Sequence, residues 1–374
     1  MPARIVFEKP EIPPTQALAP AKKKQPRHVK IVPRVTQVKK KKQNWLFPSM
    51  VIVALVVLVF LVRTISTFSL DMSRPLVISQ KGIFAFSGQV NSITNVVVEM
   101  ADHSGSETRF ILLSLNTIDK RMVLVEIPRA LSLTVPLGYG VHELGKISSL
   151  APINPDFTPI KSGLAALALG ELFAVPIDGY VTVEKSCQET SLKACIEQIL
   201  GQSLWKRGIP FVKSDSLSSN FSLWRLGALA LKIGGIRTDR VKEVSLKDQG
   251  FVREKEQLMT VDEGELDRFV QRNFADPVIE NASATIEVLN GTEHDGLGGL
   301  VGRYVTNLGG KLVHIGNFDR TDVKESVVIG NKSTISDKLA AACRCAMIEQ
   351  HLVSRRGDVL IVVGEDYWHK LNGR

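Results

Sequence analysis

Two basic residues of this 374-residue chain lie where an anion could bind. Arg129 follows the end of a predicted strand at Pro128, and Lys146 opens the polar stretch Lys146–Ser149. Guanidinium and ammonium groups form charge-assisted hydrogen bonds with phosphate oxygens. Side chains of this type can hold an anion such as phosphate. For Arg129 the alternative is a surface arginine at a strand terminus, and the residues alone favour neither interpretation.

The other reactive side chains show no known catalytic spacing. No two histidines have the H-x-x-x-H or H-E-x-x-H spacing of a metal site, and Ser114 and Ser148 lack matching acid–base partners. The glycine-rich stretch Gly296–Gly302 has no Walker lysine, so close helix packing is the favoured explanation for it. The residues alone predict neither a serine hydrolase nor a confident metal site.

The four cysteines form two sequence-local pairs. Outside the cytoplasm, Cys187 and Cys195 are close enough in sequence to close a short loop, although the sequence does not show that they are bridged. Cys343 and Cys345 lie two apart in a helical pattern, which would put them on nearly opposite helix faces. We therefore predict that these two are core residues without a mutual bridge.

Charge is concentrated at the N-terminus. Residues 1–44 hold twelve Lys and Arg against two Asp and Glu, with runs at Lys22–Lys24 and Lys39–Lys42, and the rest of the chain is nearly neutral. Such a segment has too little apolar surface to fold, so we predict a disordered tail. A nucleic-acid-binding body would have a basic face of its own, so no direct nucleic-acid partner is expected.

The uncharged stretch Trp45–Val62, WLFPSMVIVALVVLVFLV, is long enough to cross a bilayer as a helix. A signal peptide would begin nearer Met1 and end in a small-residue cleavage site, and a buried core helix would not follow four lysines. Together with Arg63 it forms a predicted transmembrane helix, residues 45–63. The positive-inside rule places the tail in the cytoplasm and the bulk outside, which predicts a single-pass plasma-membrane protein.

The remainder alternates between β-rich and helical segments, which predicts an extracytoplasmic α/β domain with a mixed sheet over residues 68–275. Predicted strands are Asn95–Met100, Arg109–Leu115, Met122–Ile127, Tyr180–Glu184 and Val241–Leu246, and predicted helices are Lys161–Phe173, Leu192–Leu200, Leu223–Ile233 and Val261–Phe274.

A second unit is predicted over residues 283–370 with the order β-α-β-β-α-β, a two-layer split βαβ sandwich of α+β type. Its predicted strands are Thr285–Leu289, Lys311–Phe318, Glu325–Ile329 and Asp358–Val363, and its predicted helices are Glu293–Leu308 and Ser333–Leu352.

Two motifs of this unit resemble the C-terminal domain of the LytR-CpsA-Psr family of envelope proteins. Ile286–Gly299, IEVLNGTEHDGLGG, resembles the opening of that domain, and Val359–Tyr367, VLIVVGEDY, resembles its end. Gly298 departs from the family, which more often has Ala. The preceding region resembles the family's catalytic domain more faintly, at Phe110–Ala130, FILLSLNTIDKRMVLVEIPRA, and at Gly170–Glu184, GELFAVPIDGYVTVE.

The resemblance implies phosphotransfer. Family members are thought to move a glycan from a polyprenyl pyrophosphate onto peptidoglycan, with magnesium neutralising the pyrophosphate and arginines holding it. The resemblance therefore implies that Arg129 is a candidate phosphate ligand, and so is Lys146, because Lys146–Ser149 falls where the family carries a K-I-N-x-A element. Here Ala130 replaces the carboxylate associated with the metal, and Thr108 lies where an aspartate is expected. Glu107 is a candidate metal ligand only if the register shifts by one residue. Magnesium is therefore expected only if the chain is active.

The family's later arginine-rich element also has no clear match: Arg225, Arg237 and Arg240 are present without its spacing. Three hypotheses follow from the resemblance. The favoured one is a membrane-anchored scaffold or binding protein with a degenerate phosphotransferase-like domain, so that the chain is not an enzyme. The second is a divergent, active glycopolymer phosphotransferase. The third is a regulator that affects transcription indirectly.

The expected partners are the membrane, through Trp45–Val62, and a polyprenyl-linked glycan or peptidoglycan. For the C-terminal domain, the expected partner is a protein or a glycan.

Overall fold

The computed structural model describes residues 55, 57–59, 63, 93–101, 108–150, 161–184, 191–208, 217–255, 258–352 and 355–372. Residues 55, 57–59 and 63 are helical, and the rest of the predicted span Trp45–Val62, like the basic tail, lies outside this set. Among the described residues, no helix is both long enough and apolar enough to traverse a bilayer. Of the two compact units, Met1–Phe60 and Leu61–Arg374, the second contains every described strand.

The described part of Leu61–Arg374 contains fifteen named strands and nine named α-helices. The strands are β1 (Ile93–Ala101), β2 (Thr108–Asn116), β3 (Arg121–Ile127), β4 (Ser132–Val135), β5 (Gly140–Glu143), β6 (Gly179–Glu184), β7 (Leu217–Ser219), β8 (Val241–Ser245), β9 (Val252–Lys255), β10 (Leu258–Val261), β11 (Thr285–Asn290), β12 (Lys311–Asn317), β13 (Val327–Gly330), β14 (Ala346–Glu349) and β15 (Val359–Val363). The helices are α1 (Leu144–Ile147), α2 (Lys161–Phe173), α3 (Leu192–Gly208), α4 (Leu223–Gly234), α5 (Glu263–Phe274), α6 (Pro277–Glu280), α7 (Leu297–Asn307), α8 (Thr334–Cys343) and α9 (Glu365–Asn372).

The first sheet has six strands in the order β7-β6-β1-β2-β3-β8. The centre is an antiparallel meander, because β1 pairs with β2 and β2 with β3 in that sense, while β6 and β8 join it in parallel. Strands β1 to β3 are almost continuously apolar and buried, as expected for strands covered on both faces. All five strands predicted for this region are present.

Different elements cover the two faces of this sheet. One face, which carries Val97, Phe110 and Leu112, packs against α2, α5 and the β4–β5 hairpin. The other face, which carries Val98, Ile111 and others, packs against α3 and α4. The prediction of a mixed α/β architecture is confirmed. The predicted helix at Val261–Phe274 begins later, at Glu263, because Leu258–Val261 pairs with β9 and Asp262 caps the helix.

The second sheet has five strands in the order β12-β11-β15-β13-β14. Strands β11, β12 and β15 are mutually parallel, and β13 runs antiparallel to β15. Helices α7, α8 and α9 contribute to one core cluster with this sheet, so the unit has two layers as predicted. The βαβ unit is not split, because β11 and β12 are direct neighbours.

The predicted helix Ser333–Leu352 is confirmed in its first half and wrong in its second half. It ends at Cys343, where Arg344 takes the left-handed conformation (φ 57°), and residues 346–349 form β14 instead. Cys343 and Cys345 are joined by a disulfide with a Cα–Cα distance of 5.2 Å, so our prediction against a bridge was wrong. The helical spacing on which that prediction depended does not apply beyond Cys343. Cys195 is also disulfide-bonded, and Cys187 lies outside the described residues.

Two other helix predictions also differ from the structure. Helix α7 begins at Leu297 rather than at Glu293, since Gly296 precedes it with a left-handed φ of 85°. Helix α9 follows β15 directly and was not predicted; its buried Tyr367 belongs to the same core as α7.

Side chains of α7 cap the C-terminal end of α2. The Tyr304 hydroxyl donates to the carbonyl of Gly170 (2.9 Å), Arg303 donates to the carbonyl of Leu172 (2.7 Å), and Asn307 donates to the carbonyl of Phe173 (3.0 Å). The last carbonyls of a helix have no partner within the helix, and unsatisfied buried acceptors are costly. This contact therefore fastens the second sheet unit to the first.

We predict that Asn307→Ala destabilises the protein by about 1–3 kcal/mol, because it leaves the buried carbonyl of Phe173 without a donor. Urea unfolding followed by circular dichroism measures this loss. Asn317→Ala, an exposed asparagine at the end of β12, is the matched control and should change stability by less than about 0.5 kcal/mol. Equal losses in the two variants would contradict the role given to Asn307.

Candidate functional site

The structure brings the two predicted phosphate ligands together. After β3, the chain passes Arg129, forms the β4–β5 hairpin and returns into α1, where the Gly145 amide donates to the carbonyl of Arg129 (2.8 Å). A Cβ at Gly145 would lie 3.2 Å from that carbonyl oxygen, so a larger residue would push Arg129 away by a few tenths of an ångström. Lys146 follows directly, which places both basic residues at one corner of the molecule.

Both basic side chains of this corner are exposed. Lys146 is paired with Glu143 at 2.8 Å, and both members of the pair are open to solvent. Exposed ion pairs contribute little free energy, so an anionic ligand can displace the Glu143 carboxylate at small cost. Ala130, where the resembled family has a carboxylate, is also exposed and offers no oxygen ligand from its side chain.

A buried glutamate lies next to this corner and was missed by the sequence analysis. Glu99 is near the end of β1, on the sheet face that also carries Val97. The hydroxyl of Ser148, just after α1, donates to the Glu99 carboxyl (2.7 Å), and the hydroxyl of Thr182 on β6 lies 3.4 Å from its other oxygen. Arg129, Lys146, Ser148 and Glu99 are hereafter called the α1 corner.

Burial raises the pKa of Glu99 above its ordinary value, and the hydrogen bonds from Ser148 and Thr182 only partly oppose this shift. No cation is among the groups that shift it. The carboxyl therefore favours its neutral form more than an exposed glutamate does.

The described part of the corner offers a magnesium ion few oxygen ligands. Mg²⁺ at phosphate sites is usually bound through one or two carboxylates, and here Glu99 is buried and already accepts from two hydroxyl groups, while the position of Ala130 supplies no carboxylate. Among the described residues, no three His, Cys, Asp or Glu side chains are grouped as a metal site would require. Glu107, the candidate metal ligand, lies outside the described residues. We therefore derive no metal-dependent step.

The other candidate arginines are elsewhere. Arg225 lies on α4 and Arg237 and Arg240 follow it, on the sheet face opposite Glu99. Within the described residues, Arg129 and Lys146 are thus the two candidate phosphate ligands whose backbones lie close together, through the hydrogen bond from the Gly145 amide to the Arg129 carbonyl. A signal for Glu99 was present in the sequence: it is the one charged residue in the apolar run NVVVEM, and a charge inside a buried strand is rare.

The C-terminal motifs have structural roles. Asn290 at the end of β11 accepts hydrogen bonds from the amide and hydroxyl of Thr292. Gly302 on α7 packs so closely on β12 that a Cβ there would lie 2.8 Å from a carbon of Ile315. His294 stacks on Trp368 with 3.8 Å between ring centroids and contacts Glu365 at 3.1 Å. These contacts join the ends of the parallel strands to α9.

Residues 283–367, which contain these motifs and the second sheet, match the family described as LytR cell envelope-related transcriptional attenuator. The chain carries a LytR-type C-terminal domain. This confirms the resemblance of the two C-terminal motifs, and the family description supports a protein of the cell envelope. A comparison with curated proteins found no match.

Solved structures similar to the chain have low sequence identity. A transcriptional regulator from Enterococcus faecalis is 10% identical, with 59% of this chain and 89% of that chain covered and a TM-score of 0.36. The Bacillus subtilis regulator YvhJ is 12% identical over 49% and 98% (TM-score 0.35). TagT bound to LI-WTA is 12% identical over 53% and 93% (TM-score 0.34). Scores this low do not establish a common fold, so the assignment depends on the LytR-type domain.

We predict that Glu99 makes stability fall as pH rises from mildly acidic to neutral. Because its folded pKa is raised, the folded state holds the proton between the ordinary and the raised pKa while the unfolded state loses it. Glu99→Gln keeps the shape of the side chain and an oxygen that accepts hydrogen bonds, but it cannot titrate. Its stability should therefore no longer fall over this pH range, so that it gains stability relative to the unmodified chain as the pH rises to neutral. Thermal unfolding across that pH range measures the difference.

The matched control for this experiment is Glu349→Gln, an exposed glutamate on β14. It should keep the pH profile of the unmodified chain. A profile for Glu99→Gln that parallels the unmodified chain throughout would show that Glu99 titrates normally and would contradict the raised pKa.

Proposed function

We propose that this chain is a membrane-anchored envelope protein that binds the phosphate group of a polyprenyl-linked glycan at the α1 corner without transferring the glycan. The observation that carries the proposal is the return of the chain onto Arg129 at Gly145, which brings Lys146 and Ser148, the hydrogen-bond partner of the buried Glu99, close to Arg129 along the backbone. The proposed class is therefore a lipid- or glycan-binding protein with a degenerate phosphotransferase-like region over residues 68–275.

Binding is favoured by the charge and exposure of the corner. The backbones of Arg129 and Lys146 lie close together through the Gly145 contact, and the carboxylate paired with Lys146, Glu143, is in an exposed ion pair that a phosphate can replace. Glu99 adds no full negative charge when protonated, so it does not repel the ligand. A neutral carboxyl also donates a hydrogen bond to a phosphate oxygen if Ser148 yields its place.

Transfer is disfavoured by what the corner lacks. Phosphoryl transfer needs the charge that develops on the phosphate oxygens to be neutralised, which the resembled family does with a metal and carboxylates. Here Ala130 supplies no carboxylate, and Glu99 is held by two hydroxyl groups. The alternative, an active glycopolymer phosphotransferase, would need a carboxylate in place of the one that Ala130 lacks, and the notable candidate, Glu107, lies outside the described residues.

The membrane part of the proposal comes from the sequence. Trp45–Val62 is uncharged and follows four lysines, which supports a single span with a cytoplasmic N-terminus and a body outside the plasma membrane. An extracytoplasmic location also agrees with the disulfide between Cys343 and Cys345, since disulfides persist in oxidising compartments. The LytR-type domain would then face the cell wall and bind a protein or glycan there.

We predict that the purified full-length chain binds a short polyprenyl pyrophosphate, seen as a rise in melting temperature, and releases no phosphate with or without magnesium. Arg129→Ala should weaken binding by about 2 kcal/mol, or roughly thirtyfold in Kd, because it removes a charged hydrogen-bond donor. Ligand titrations of thermal stability and a phosphate-release assay measure the two quantities.

Arg320→Ala is the matched control, because Arg320 is an exposed arginine of the second sheet unit that pairs with Asp322. It should bind like the unmodified chain. Magnesium-dependent release that is lost in Arg129→Ala would show an active transferase and overturn the proposal. The absence of any melting shift would exclude this ligand class and leave the LytR-type domain as the binding part.

A further inference from the structure

Helix α4 has an apolar outer face in addition to its core face. Leu226, Leu229 and Ile233 are buried against the first sheet. On the opposite side, Trp224 is 57% exposed and Leu231 is 80% exposed. A helix that is apolar on both sides is normally covered on both sides.

The outer residues form a continuous stripe. Trp224, Ala228 and Leu231 follow the i, i+4, i+7 spacing of one helix face, and all three are exposed. Gly227 lies beside them, and a Cβ there would meet no atom within 4 Å, so nothing in the described part of the chain covers this position. The stripe is hereafter called the α4 outer face.

Basic residues surround this face. From Leu223 to Arg240 the chain has the four cations Arg225, Lys232, Arg237 and Arg240 and one acid, Asp239, which pairs with Arg237 at 3.1 Å, so three positive charges remain in excess, although the body as a whole is nearly neutral. Glu243, the next acid, is turned away, because its carboxylate accepts hydrogen bonds from Ser191 and from the amides that begin α3. The surroundings of the face are therefore locally positive.

Size and composition favour a bilayer over a protein as the occupant. One tryptophan, one leucine and one alanine present far less than the ~800 Å² per partner that a stable protein interface buries. They are sufficient for shallow insertion at a lipid interface, where indole rings and basic side chains are preferred. Anionic headgroups complement the four cations, and each basic residue near such a surface adds attraction.

We propose that the α4 outer face docks on the surface of a bilayer containing anionic lipid, with Trp224 and Leu231 inserted. The inference rests on the membrane anchor of the proposed function. Thirty residues separate Val62 from Ile93, so an anchored body stays near the bilayer at high effective concentration, and a weak face is enough. Docking would fix which side of the first sheet faces the membrane.

The test uses the full-length chain carrying Leu231→Cys, labelled with a nitroxide and reconstituted into phosphatidylcholine vesicles with or without phosphatidylglycerol. None of the described native cysteines is free, so the label is selective. The accessibility of the label is measured by electron paramagnetic resonance. With phosphatidylglycerol, we expect collisional relaxation of the label by membrane-soluble oxygen to rise several-fold and relaxation by a water-soluble nickel chelate to fall. High salt should reverse both changes. The additional changes Arg237→Gln and Arg240→Gln should reduce them.

Ile348→Cys is the matched control, an exposed apolar residue on β14 of the other sheet, and its label should stay accessible to nickel in all vesicles. A chain that floats with vesicles while position 231 remains fully nickel-accessible would overturn the docking alone. A chain that does not float with vesicles would overturn the anchor and the docking together. Spin–spin broadening at position 231 would show a second copy on this face and would also overturn the proposal.

Discussion

The end of helix α2 is the point on which the arrangement of the described body depends. A helix leaves its last carbonyls without internal partners, and those of α2 end inside the protein. Arg303 and Asn307 of α7 donate to the carbonyls of Leu172 and Phe173, and Tyr304 adds a donor to the carbonyl of Gly170, which also accepts from the Val175 amide. Glu171 of α2 adds a partly buried ion pair with Lys370 (2.5 Å) and accepts from Tyr367 (3.0 Å), both on α9. The LytR-type domain therefore completes a helix that belongs to the first sheet.

This junction also connects the LytR-type domain with the α1 corner. The far side of α2 packs on the sheet face that carries Glu99, and α1 contributes Leu144 and Ile147 to the same core. The α1 corner is thus supported by a helix whose end is held by α7 and α9. Removing a donor from α7 leaves a buried carbonyl of α2 unsatisfied, which destabilises the end of that helix. The α1 corner is affected through the packing of α2 on the sheet face that carries Glu99. The LytR-type domain has in this way a structural role, whatever it binds.

The sequence predicted most where one local rule decides the structure. Helix Lys161–Phe173 and the first three strands were predicted nearly residue for residue, because apolar periodicity and tertiary burial agree there. The prediction failed after Cys343, where the left-handed Arg344 ends a helix that spacing alone would continue. Glu99 was missed because its importance depends on Ser148, which is 49 residues away along the chain. The charge itself is visible in the apolar run NVVVEM, but its contact with Ser148 has no local signature.

The α1 corner and the α4 outer face lie on opposite faces of one sheet, and this places a constraint on their combined use. If α4 lies on the bilayer, the sheet and the helices on its α4 face separate Glu99 from the lipid surface. Stacked layers lie about 10 Å apart, so Glu99 is at least one such layer away from the lipid. A polyprenyl phosphate bound at the corner must then reach it around a sheet edge. The parallel edge strand β8 and the short antiparallel strand β7 are the two edges available in the described sheet.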